Sequence, residues 1–269
     1  MGNAALFLFL VLGFMLLGSG AELLVRGSSA LALRLGMSPL LVGLTIVAFG
    51  TSAPELAVSI QSTAAGQSAL ALGNVVGSNI ANIGLILGIT ALINPIRIKR
   101  QLIRKQIPLV VFSSIFMWLL LIDGELGVLD GVLLTSGFFA FLFSSYRQSV
   151  AEPAEANSEI NSALSVTPAL SINVALTIAG MILLILGSTL FVDNALVIAR
   201  TVGVSEAVIG LTLVAIGTSI PELATSLFAA LKGKTELAIG NIIGSNLFNI
   251  PGILGLTALI GTVSAAQFS

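Results

Sequence analysis

The sequence contains no cysteine and no histidine, one tryptophan and one tyrosine. Without cysteine there are no disulfides and no thiolate metal sites, and without histidine there is no imidazole ligand or general base. Charge is also scarce. Only 9% of the 269 residues are charged, against about 25% in an ordinary soluble domain, so the chain cannot coat itself for water. The net charge of -1 excludes a basic nucleic-acid binder. What remains is 56% hydrophobic side chains and a mean hydropathy of +1.10. Any chemistry rests on carboxylates, hydroxyls, amides and backbone carbonyls, an oxygen inventory that suits hard cations.

A helix needs about 20 apolar residues to cross a bilayer. Such runs fall at 4–35, 40–62, 69–93, 107–122, 126–146, 171–200, 207–231 and 237–263, predicting an all-α, polytopic membrane protein with eight transmembrane helices. The first and sixth runs exceed one perpendicular crossing, which implies either a long tilted helix or a break near their glycines. The first lacks a basic leader and continues past Arg26, so it reads as a retained helix and not a signal peptide. The polar stretch at 148–168 reads as a linker between a five-helix half, 1–147, and a three-helix half, 169–269. With alternating spans, Arg26, Arg34, Arg97, Lys99, Arg100, Arg104, Lys105, Arg147, Lys232 and Lys234 share one side, leaving Arg200 alone on the other. The positive-inside bias makes the crowded side, including 148–168, cytoplasmic in a cell-membrane protein, with the N-terminus extracellular or periplasmic.

The two halves repeat each other at an offset of 167 residues. Gly36 to Leu56, GMSPLLVGLTIVAFGTSAPEL, aligns with Gly203 to Leu223, GVSEAVIGLTLVAIGTSIPEL. Leu72 to Leu92, LGNVVGSNIANIGLILGITAL, aligns with Ile239 to Leu259, IGNIIGSNLFNIPGILGLTAL. Shared apolar composition does not align Thr, Ser, Pro, Glu, Asn and Gly in register, so the chain is an internal duplication. The matched spans lie an odd number of crossings apart, which turns the second copy upside down. Inverted repeats of this kind build secondary transporters, with the substrate site where two discontinuous helices meet. Channels also contain them.

Each copy places Gly-Thr-Ser-x-Pro-Glu in mid-span, at Gly50, Thr51, Ser52, Pro54 and Glu55 and at Gly217, Thr218, Ser219, Pro221 and Glu222. Proline removes a donor and clashes with the carbonyl four residues earlier, so the helix breaks there and the carbonyls freed need a partner. A plain proline kink explains the break equally well; the glutamates change the balance. An intramembrane carboxylate is costly and by default functional, and no basic residue shares these spans. Two repeat-related carboxylates need a divalent cation, or one of them a proton. The second motif supplies Asn74, Ser78, Asn79 and Asn82, matched by Asn241, Ser245, Asn246 and Asn249. Residues four apart share a helix face, which sets Ser78 beside Asn82 and Ser245 beside Asn249 as ligand candidates. Asn79 and Asn246 lie off that face and are expected to bond backbone or a neighbouring helix. The motif glycines are assigned to helix packing.

The paired blocks GTSAPE with GNVVGSNIAN and GTSIPE with GNIIGSNLFN closely resemble the alpha repeats of the sodium/calcium exchanger family, within the cation/calcium exchanger superfamily. The resemblance is strongest over 36–93 and 203–260. It implies an antiporter of ten helices that exchanges Na+ for Ca2+ by alternating access, with no enzymatic activity and no cofactor beyond the transported ions. It further implies that Glu55 and Glu222 serve both ions and that Thr51 and Thr218 offer backbone oxygens to Ca2+. Ser52, Ser219, Ser78 and Ser245, with the carbonyls of Ala48 and Ala215, would form flanking Na+ sites, and Asn82 and Asn249 would border the centre. The long first and sixth helices would be the gating pair that slides over the core. Several branches, including potassium-dependent exchangers, carry Asp where Asn249 stands, so the amide argues against potassium coupling and leaves stoichiometry open. The offset assigns partners for 101–146 to 268–313, whereas the sequence ends at Ser269, which is read as a C-terminally truncated sequence or an eight-helix form. A Ca2+/H+ exchanger, a passive cation channel and an inactive transporter fragment remain alternative readings, and oligomeric state is open.

Overall fold

The computed structural model describes residues 3–96, 98, 100, 102–151, 169–201, 203 and 214–265. Most of the expected linker, the start of the seventh run at 207–213, and Arg97 and Lys99 lie outside the described residues. In chain order the helices are α1 (Asn3–Leu35), α2 (Pro39–Thr51), α3 (Ala53–Ala64), α4 (Ser68–Ile93), α5 (Leu102–Asp123), α6 (Val128–Arg147), α7 (Leu170–Thr201), α8 (Val214–Thr218), α9 (Ile220–Leu231) and α10 (Thr235–Ile260). Among the described residues six helices are long and apolar enough to cross a membrane, or seven if the bent pair α2 with α3 counts as one span; the seventh expected run is described only from Val214, as α8 and α9. The fourth begins at Leu102, earlier than the pattern of apolar residues indicated.

Local chemistry explains the punctuation. Ser38 caps α2 by accepting the Leu41 N–H at 3.3 Å, with Pro39 in the first turn, where its missing donor costs nothing. The turns after α3 and α9 use Gly66 (φ 74°) and Gly233 (φ 72°), conformations that Cβ-bearing residues rarely adopt. These two glycines are themselves repeat-related. At the proline breaks, Ser52 (φ -84°, ψ 6°) and Ser219 (φ -83°, ψ 4°) share one backbone conformation, and α2 and α3 are bent by 44° there.

The glycines of α1 and α7 do not break them. These are single helices of 33 and 32 residues, about 50 Å each at 1.5 Å per residue, longer than a hydrocarbon core of about 30 Å. They pack antiparallel, backbone to backbone. A Cβ built on Gly20 would lie 2.8 Å from the Leu184 nitrogen, and one on Gly180 would lie 2.4 Å from the Leu24 nitrogen. As contacts on α1 move from Gly13 through Gly20 to Gly27, those on α7 run back from Gly187 through Gly180 to Asn173. Close approach through small residues is what holds helices together where lipid removes the hydrophobic drive.

The centre belongs to α10. Its membrane window is 89% buried against 22% for the matching α4, because α5 and α6 cover it. Gly131 of α6 sits against the Gly255 carbonyl, and Phe138 fills the space beside Gly252. The equivalent face of α4 is open: Ile80 is 67% exposed where its counterpart Leu247 is 1% exposed. Two short antiparallel strands, β1 (Glu125–Leu126) and β2 (Val263–Ser264), tie the α5–α6 turn to the segment after α10, with Glu125 opposite Ser264.

The α1–α7 packing yields a contrast. Gly20→Leu or Gly180→Leu drives a side chain into the partner backbone and is expected to cost about 1–3 kcal/mol. At Gly18 a Cβ meets nothing within 4 Å, so Gly18→Leu is expected to leave the thermal unfolding transition in detergent nearly unchanged.

Candidate ion-binding site

Both helix breaks set a serine at the junction and a glutamate in the first turn of the following helix, where the helix dipole favours a negative charge. Glu55 and Glu222 are both fully buried. Each is held by the other half of the chain. Ser52 Oγ donates to Glu222 Oε1 at 2.9 Å, and Ser219 Oγ donates to Glu55 Oε1 at 3.1 Å.

Two further tiers repeat the exchange. Thr51 Oγ1 donates to Asn241 Oδ1 and Thr218 Oγ1 to Asn74 Oδ1, both at 3.0 Å. Thr51 also lies 3.4 Å from Ser245 Oγ, and Thr218 lies 3.4 Å from Ser78 Oγ. The amide of Asn74 donates to the Glu55 carbonyl and to Ser59 Oγ, each at 3.1 Å. The Asn241 amide does the same with the Glu222 carbonyl at 3.5 Å and Ser226 Oγ at 3.0 Å. Finally, Asn82 Nδ2 donates to Asn246 Oδ1 at 3.1 Å, and Asn249 Nδ2 to Asn79 Oδ1 at 3.0 Å. Asn82 and Asn249 occupy matched π-helical stretches, Ala81–Ile86 and Phe248–Leu254, a local widening often found at functional sites.

Within this network bonding stops short at four oxygens and at the Asn246 Nδ2 donor. Glu55 Oε2, Glu222 Oε2, Asn82 Oδ1 and Asn249 Oδ1 are buried and have no hydrogen-bond partner. An unsatisfied buried polar atom costs about 1–3 kcal/mol, more if charged. Carboxylate and amide-carbonyl oxygens are the ligands that Ca2+ takes, so this donor chemistry fits a hard cation. Among the described residues no Lys or Arg forms an ion pair with either glutamate, and no group of three His, Cys, Asp or Glu occurs.

Of the twelve expected ligands, Thr51, Ser52, Glu55, Ser78, Asn82 and their counterparts Thr218, Ser219, Glu222, Ser245 and Asn249 all fall within this network. Ala48 is fully buried beside Gly244. Its carbonyl already accepts the Ser52 N–H at 3.0 Å and the Thr51 hydroxyl at 3.4 Å. The backbone of Ala215 is helical within Val214–Thr218; its side chain lies outside the described ones. The ligand candidates drawn from motif spacing and from the family resemblance omit Ser59 and Ser226. Their signal was present: both recur at the 167-residue offset, four residues after the glutamates.

The comparisons with known proteins agree with this architecture. The family model for the sodium/calcium exchanger protein matches residues 5–147 and 172–269, and the chain belongs to that family of membrane ion exchangers, which are transporters and not enzymes. The inner membrane protein YrbG of Escherichia coli (strain K12) is 40% identical over 257 residues, covering 93% of this chain and 78% of that protein. Sodium/calcium exchanger MaX1 of Methanosarcina acetivorans is 35% identical, covering 98% of this chain and 85% of that protein. Among solved structures, the sodium-calcium exchanger NCX_Mj, soaked with Na+ and Ca2+, superposes with a TM-score of 0.84 at 32% identity, over 100% of this chain and 86% of that one. This chain is therefore a multi-pass membrane protein of the sodium/calcium exchanger type.

The threonine tier gives a stability test. Thr51→Val leaves Asn241 Oδ1 without its donor, and Thr218→Val does the same to Asn74. Each is expected to cost about 1–3 kcal/mol, by similar amounts, in ion-free thermal unfolding.

Proposed function

We propose that the chain exchanges Na+ for Ca2+ across the cell membrane by alternating access, with both ions held by Glu55 and Glu222. The observation that supports this most is the set of four buried, unpartnered oxygens on Glu55, Glu222, Asn82 and Asn249. Two carboxylates balance the charge of one Ca2+, and the amide at Asn249 holds the central cluster at two negative charges. Thr51 and Thr218 would add backbone oxygens. Ser52, Ser78, Ser219 and Ser245, with the Ala48 and Ala215 carbonyls, would hold Na+ at the flanks. The two halves, 1–147 and 169–269, act as inverted repeats joined by a cytoplasmic linker at 148–168, with the N-terminus on the opposite side. The antiparallel α1–α7 pair is the element that moves against the core.

One observation favours a second reading, Ca2+/H+ exchange: the buried glutamates lack a basic partner among the described residues, so a proton would also neutralise one. Purified protein in proteoliposomes separates the two. An imposed Na+ gradient is expected to drive 45Ca2+ flux, reduced to the protein-free background by Glu55→Gln or Glu222→Gln. Flux driven by a pH gradient in Na+-free buffer would instead favour protons. Binding is read independently of transport, since Ca2+ at about 100 times its Kd stabilises the protein by about 2.7 kcal/mol. That thermal shift is expected to vanish in both glutamine variants.

A further inference from the structure

Away from the ion site, an apolar groove runs between α1 and α9. It has a volume of about 280 Å3 and is lined by Phe14, Gly18 and Ala21 of α1, Phe191 of α7, and Ala224 and Phe228 of α9, among others. Gly18 opens its wall, since a Cβ there would meet nothing within 4 Å. The groove opens to the membrane surface of the bundle: Phe14 is 70% exposed and Leu231, at its far end, 64%.

That far end meets positive charge. Lys232 follows the last residue of α9, and its Nζ lies 5.3 Å from the ring centre of Phe228, a residue of the groove wall. Lys234 Nζ donates to Ser29 Oγ of α1 at 2.8 Å, so the turn after α9 is tied across to α1 beside Arg26. Burial holds the Lys234 ammonium below its ordinary pKa, and repulsion from Arg26 and then Lys232 adds to the effect. Two acids lie nearby in sequence, and both are engaged. Glu22 pairs with Arg26, and Glu236, in the first turn of α10, already has a polar contact.

We propose that this groove and its basic end form a binding site for one anionic phospholipid. An acyl chain fills the groove along α1 and α9, and the headgroup phosphate sits among Arg26, Lys232 and Lys234. Both helices run toward the basic end, so a lipid of the leaflet on that side enters with chain and headgroup correctly ordered. A basic pocket between transmembrane helices, next to the bilayer interface, is the arrangement that recognises acidic headgroups. The apolar wall alone takes any lipid; Lys232 and Lys234, with Arg26 shared with Glu22, select the anionic ones. A bound lipid would also fill the space between the α1–α7 pair and α9, the helix that holds Glu222.

Native mass spectrometry tests this after reconstitution of the full chain in nanodiscs of equal parts phosphatidylglycerol and phosphatidylcholine, followed by release into detergent. The wild type is expected to retain one phosphatidylglycerol and no phosphatidylcholine. Lys232→Gln with Lys234→Gln is expected to lose it, as is Gly18→Leu, which fills the groove from a position with open space. Lys232→Arg with Lys234→Arg is expected to keep it. Equal retention of both lipids, or retention unchanged by either the charge or the groove variants, would overturn the proposal. So would displacement by inorganic phosphate, which would make the basic end a site for the free anion.

Discussion

A carboxylate buried in a membrane-spanning bundle has no water to solvate it, and in this chain each half lacks the means to solvate its own. Glu55 takes its hydroxyl donor from Ser219 and Glu222 from Ser52. The threonine and asparagine tiers are exchanged in the same way. Neither half can therefore satisfy its polar centre until it has docked antiparallel against the other. This reciprocity accounts for duplicated motifs that appear as two incomplete sets along the chain. It also leaves the second oxygen of each carboxylate without a protein partner.

Much of the remaining structure serves to bring the two breaks together. Proline at the third position after each motif glycine-threonine unit ends one helix and starts the next, which turns a dipole toward each glutamate. The glycines at 13, 20 and 27 let α1 approach α7 to backbone contact, making one long pair from two helices that belong to opposite halves. That pair borders α9 on one side and leaves the groove between them. Covering α10 with α5 and α6 makes the bundle lopsided, since the equivalent α4 face is open.

Much of this was legible in the residues. The apolar runs, the register of the repeat and the proline-broken spans with a central glutamate all have local causes, and the helices appear where those causes put them. Membership of the exchanger family follows from the same two motifs. Three things were not legible. Whether glycines 13, 20 and 27 break α1 or serve to pack it depends on what lies opposite, and the answer was α7. Asn79 and Asn246 bond a neighbouring helix as expected, but which partner each takes, the amide of Asn249 or of Asn82, is set only by the packing of α4 against α10. Ser59 and Ser226 carried only the repeat as a signal, and their partners, Asn74 and Asn241, are 15 residues away.

The sequence by itself determined the chemistry this protein can use and the points where its helices break. Both are properties of single residues: oxygen donors without thiol or imidazole, a proline without an N–H, a glutamate too costly to bury idly. Tertiary structure alone decided which serine serves which glutamate, and which oxygens are left over. Those partners are 164 and 170 residues apart, and no local preference encodes a pairing made only when two inverted halves dock. The choice rests on antiparallel packing, because that alone brings the junction of one broken helix against the first turn of the other.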